Sequence, residues 1–171
     1  MARCYLHLAL FLAASFVLPA SAGAASNHRS AAVSQAAGSP LAVAAANART
    51  YWGAAPCNGR ITILVRSPLA PSVSRMTSAW ATFDSSQGAN NLDAPANSYT
   101  NCAISLARWR WPTTQSMRAD WDVLCSTVIH ETGHLLGHHH DTTPGSVMTS
   151  AFTDLSSEPA ICRSKRPRGS K

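Results

Sequence analysis

Apolar positions are distributed unevenly along the 171 residues, and their spacing changes character several times. A nearly continuous apolar run covers 8–18, and an Ala/Ser-rich stretch without large anchors covers 23–50. That stretch buries little area per ordered residue, so it reads as a linker or short pro-segment. A partly helical arm is the alternative, because alanine favours helix. From Tyr51 the pattern sharpens. Residues 60–66 (RITILVR) are a β-branched run that predicts a strand, stopped by Pro68 and Pro71. Met76, Ala79, Trp80 and Phe83 recur at three and four, which predicts a short helix. Residues 84–101 are rich in Ser, Gly and Asn and read as loop. A second strand is expected over 102–107, with Trp109 and Trp111 beyond it. Trp121, Leu124, Cys125, Val128, Thr132, Leu135 and Leu136 then mark one stripe of a longer helix. Asp120 is its expected cap and Gly137 its stop. The pattern predicts an α+β domain over 51–162, followed by a basic disordered tail over 163–171.

The first apolar run follows a basic start at Arg3 and leads into Ala20-Ser21-Ala22, the form of a secretory signal peptide over 1–22. Its eleven residues are too few to cross about 30 Å of hydrocarbon. Secretion into an extracellular, oxidising compartment is therefore expected, and Cys4 would leave with the leader. Cys57, Cys102, Cys125 and Cys162 remain and allow three pairings. The preferred one joins Cys57 to Cys102 within the sheet and Cys125 to Cys162 between the long helix and the C-terminal end.

A net charge of +6 suggests nucleic acid until the charges are located. Residues 23–162 hold eight basic and eight acidic side chains, and 163–171 hold five basic ones. The expectation is no specific nucleic-acid partner, with the tail giving at most weak binding to anionic surfaces. The Arg108-Trp109-Arg110-Trp111 run reads as a strand with tryptophans inward and arginines in water, rather than a base-stacking platform. A monomer is expected.

Two other counts carry more information. Glutamate occurs only at Glu131 and Glu158, and five of seven histidines fall between His130 and His140. His130-Glu131-Thr132-Gly133-His134 lies on the predicted helix. One turn separates the two histidines, so both imidazoles share a face and can ligate one zinc ion. Glu131 is rotated about 100° away, beside the metal, where it can act as general base and acid. Gly137 ends the helix in a left-handed conformation and turns His140 in as third ligand, leaving a fourth position for water. His138 and His139 are neighbours rather than ligands. Glu158 ranks second as third ligand, since choosing it leaves Gly137 and His140 unexplained.

The pattern H-E-x-x-H-x-x-G-x-x-H resembles the metzincin clan of zinc peptidases. Met148, eight residues after His140, has the spacing of the methionine turn in matrixins, whereas Asp141 looks more like the adamalysin branch. The resemblance implies a matrixin-like secreted zinc endopeptidase acting on protein or peptide. It implies a small twisted mixed sheet packed on an active-site helix, a short C-terminal subdomain, and Met148 as a structural floor. It also implies an edge strand that holds extended peptide, which we place at 103–107. Three features depart from it: Ser150 stands where some members have tyrosine, 23–49 contain no zinc-capping cysteine, and acidic residues are sparse. Cys57 is assigned to a disulfide rather than to a latency switch. Asp84 and Asp93 are the only calcium candidates, and calcium is not otherwise supported. The competing reading is a secreted zinc-binding module without hydrolysis.

Overall fold

The computed structural model describes residues 38–67, 74, 76–150 and 158–170. The leader, the prolines at 68 and 71, and residues 151–157 lie outside them. The elements are α1 (Pro40–Trp52), a 3-10 turn (Pro56–Gly59), β1 (Thr62–Arg66), β2 (Ala79–Ser85), β3 (Gly88–Ala89) and β4 (Thr100–Ala107). They continue as α2 (Thr114–Ala119), α3 (Trp121–Leu135) and α4 (Ala160–Ser164). The architecture is mixed α+β, with one four-stranded sheet ordered β1-β4-β2-β3. β1 runs parallel to β4, from Thr62 opposite Ala103 to Arg66 opposite Ala107. β2 and β3 are antiparallel to their neighbours.

α1 corrects the expected boundary at residue 51. Ser39 caps it by accepting from the Ala42 amide at 3.2 Å, and Pro40 occupies its first turn. Leu41, Ala44 and Ala48 are fully buried along α3, so residues 40–50 belong to the core rather than to a linker. Alanines on the contact face let two helices approach closely, which is how a segment with one large anchor becomes core.

β2 corrects a second expectation. Ala79, Ala81 and Phe83 point inward while Trp80 and Asp84 face solvent, a period of two and not of three and four. The predicted strands at 60–66 and 102–107 correspond to β1 and β4. β4, however, lies between β1 and β2 and has no free edge for a peptide. β1 forms one edge of the sheet, and on the other side β2 is open over 79–82, since it pairs with β3 only through Asp84 and Ser85.

α3 rests against β2 and β4 on one side and α1 on another. Leu124, Cys125, Val128 and Ile129 from α3 meet Ile63, Val65, Ile104 and Leu106 from the sheet in a single cluster. Asp120 sits at the N-cap position but does not cap: its Oδ2 accepts from Arg110 Nε at 2.8 Å and Trp111 Nε1 at 3.1 Å. The chain turns after Ala107, so Trp111 is buried while Trp109 is exposed, and the four-residue run is a turn rather than a strand.

Both expected disulfides are present, Cys57–Cys102 and Cys125–Cys162. The segment after Cys162 is packed, against the expectation of a disordered tail. Arg166 pairs with Asp122 at 2.7 Å, Arg163 with Glu158 at 3.3 Å, and Pro167 is buried. The Lys165 carbonyl accepts from buried Asn47 Nδ2 at 2.9 Å, tying this segment to α1. No helix among the described residues is long and apolar enough to cross a membrane.

Candidate metal centre

His130 and His134 project from the last turns of α3, one turn apart as their spacing requires. The helix ends at Leu136 in a pair of reversed hydrogen bonds, His138 N to Gly133 O and Gly137 N to His134 O, both 3.0 Å. This arrangement needs a left-handed residue after the cap, and Gly137 supplies it at φ 87°. A side chain there would meet Ala96 as well as backbone strain. The chain folds back and brings His140 to the other two.

The three Nε2 atoms lie 3.1, 3.1 and 3.2 Å from one another. Their proton positions follow from the opposite ring edges. His130 Nδ1 donates to the Val147 carbonyl at 2.7 Å and His134 Nδ1 to the His138 carbonyl at 2.8 Å. Both Nε2 atoms of that pair therefore present lone pairs to each other. Lone pairs facing at this distance repel unless a cation lies between them. Three nitrogens tetrahedrally placed at about 2.0–2.1 Å from one ion stand roughly 3.3 Å apart, close to the separations seen. Burial also pushes the His134 imidazole down to about 4 and lowers that of His130, with the neighbouring histidines adding to both effects. Neutral rings are the form that binds a metal.

Glu131 is 6% exposed and shares a cleft of about 540 Å³ with the three histidines. Burial raises its carboxyl to about 7, against the opposing pull of the Ala81 amide, which favours the charged form. Thr77, Ala79, Trp80 and Ala81 of β2 and its approach line the same cleft, as does Ser150.

The turn at 146–148 serves the site twice. Val147 holds His130 through its carbonyl, and Met148, 3% exposed, places its sulfur under Gly133. Asp141 braces this turn, accepting from Thr143 N at 3.0 Å and Ser146 Oγ at 2.8 Å, while its own amide donates to the Met148 carbonyl. His138 stacks on Trp52 and His139 approaches Asp93 at 3.8 Å, so neither joins the cluster. Glu158 lies instead on Arg163 and is not part of it. Asp84 accepts from Asn101 Nδ2 at 2.7 Å, and among the described residues neither it nor Asp93 belongs to a group of three metal-ligating side chains.

Sequence reasoning missed Trp52, Gly133 and the two supporting carbonyls. Backbone acceptors leave no residue-type signal, but Gly133 was visible between the two helical histidines as a position without a side chain. No family model matches the chain, and neither a curated protein nor a solved structure matches it. What the structure establishes is a half-buried cluster of His130, His134 and His140 able to hold a metal ion.

Proposed function

We propose that the protein is a secreted zinc endopeptidase of the matrixin-like metzincin type. The observation carrying this reading is the convergence of three histidine nitrogens beside a buried carboxyl in a cleft bordered by an open strand edge. His130, His134 and His140 would hold zinc, which when bound polarises the scissile carbonyl and acidifies its water. Glu131 accepts the proton released in the attack and returns it to the departing amine, so that C–N cleavage leaves one carboxylate and one free amine. An extended peptide adds to the free edge of β2 at 79–82, with its scissile bond above the histidines. Met148 and Gly137 support the ligands without touching substrate. The two disulfides accord with export to an oxidising compartment.

The test compares zinc-loaded wild type with Glu131→Ala on a library of unstructured peptides. Cleavage by wild type and a loss of about 10²-fold or more in the variant, with zinc retained, is the expected result. Equal cleavage by both proteins overturns the reading. So does zinc-loaded wild type that cuts nothing, which would leave a binding module.

A further inference from the structure

Trp52 reaches the metal centre from outside the histidine motif. It is the last residue of α1, and its indole Nε1 donates to the Ile129 carbonyl at 2.9 Å, immediately before His130. The ring stacks on the imidazole of His138, with centroids 4.5 Å apart and planes inclined by 20°. The carbonyl of that same His138 holds Nδ1 of His134, and His140 follows two residues later. The indole also closes over Gly133, where an added Cβ would stand 2.8 Å from Cζ2. One side chain thus contacts the helix at the first ligand and the loop that orients the second and supplies the third.

The ligands are unequally fixed. His130 and His134 are placed by α3, whereas His140 lies in a stretch at 138–140 that is neither helix nor strand. A ligand on such a stretch must be ordered when the ion binds, and any contact that orders it beforehand tightens binding. The Trp52–His138 stack is placed to do this. We infer that Trp52 is a positioning residue of the metal site, clamping 138–140 onto α3 and setting how tightly the three histidines hold their ion. This rests on the histidine cluster as a metal site and not on peptide hydrolysis, so a failed cleavage assay has no bearing on it.

The test measures Zn²⁺ affinity of the full chain by competition with a chromophoric chelator, and the visible spectrum after loading with Co²⁺. Wild type, Trp52→Leu, Trp52→Phe and His138→Ala are compared, with melting of each metal-free protein in parallel. Trp52→Leu should weaken Zn²⁺ binding by about tenfold or more and alter the Co²⁺ bands. Trp52→Phe keeps a stacking ring but loses the indole donor, and should recover part of the loss. His138→Ala keeps the backbone carbonyl and drops only the stack, so it should weaken binding while the metal-free melting temperature holds. Affinity and Co²⁺ spectrum within twofold of wild type in both His138→Ala and Trp52→Phe would overturn the inference, whether or not Trp52→Leu folds. Wild type that binds no Zn²⁺ would overturn it together with the metal site.

Discussion

Gly133 stands between the two ligands of α3, and the space where its side chain would be is taken from two directions. A Cβ there would lie 2.5 Å from the sulfur of Met148 and 2.8 Å from Cζ2 of Trp52. The indole is rigid and hydrogen-bonded to Ile129, so it cannot swing aside as a flexible chain end would. Gly133→Ala should therefore cost about 1–3 kcal/mol of stability through overpacking, read as a lower urea midpoint of the metal-free protein. An unchanged midpoint would mean that the floor beneath the helix yields more easily than its contacts imply. The adjacent histidines provide a second comparison. His140→Ala removes a ligand and should weaken Zn²⁺ binding by more than the roughly 10–100-fold typical of an outer contact. His139→Ala, whose ring approaches Asp93 instead, should leave one ion bound with little change. Equal effects from the two changes, or binding of several ions, would point to a loose histidine tract that buffers metal.

Among the elements, α1 departs most from its reading as sequence. Before Trp52 its contact face offers one fully buried large side chain, Leu41, with Ala44, Ala48 and the polar Asn47 buried beside it. Replacing Leu41 by Ala removes the anchor from a fully buried site and should destabilise by about 2–5 kcal/mol in denaturant unfolding. A loss within a few tenths of a kcal/mol would show that α1 is not part of the cooperative fold. The reason α1 was illegible is physical: small residues pack helices closely but carry almost no hydrophobic signal of their own. β2 was hidden differently, because Met76, Ala79, Trp80 and Phe83 happen to satisfy a helical spacing while only three positions, 79, 81 and 83, face inward. α3 was legible because a long apolar stripe leaves a single interpretation, and it brought His130, Glu131 and His134 with it. His140 was legible through Gly137, whose position demanded a turn. The C-terminal charges misled for the opposite reason. Arg166 reads as part of a free tail, yet it finds Asp122 on α3, a carboxylate that only the folded chain brings near.

At the scale of the whole molecule, two disulfides and the proposed metal site divide the work of holding a small mixed fold together. Cys57–Cys102 ties the turn after α1 to β4, and Cys125–Cys162 ties α3 to α4. Neither constrains the return from α3 through 138–148, where order depends on the histidine cluster, the Asp141 brace and the Trp52 stack. Metal and disulfides should therefore act on different parts of the chain. Without an ion between them the three nitrogens at 3.1–3.2 Å lose what draws them together, and His140, alone of the three outside α3, sits on the stretch of chain that can move. Chelation of the disulfide-intact protein should lower its melting temperature by about 10 °C, for a site previously held at 100 times its Kd, worth about 2.7 kcal/mol. Hydrogen exchange should rise at 138–148 while α1, β1 and β4 stay protected, since their contacts do not involve the ion. Calorimetry with and without chelator measures the first effect, and exchange followed by residue measures the second. A melting temperature that does not move would separate the cluster from folding. Uniform loss of protection would instead make the ion a condition for the entire fold, as in domains that cannot form without metal.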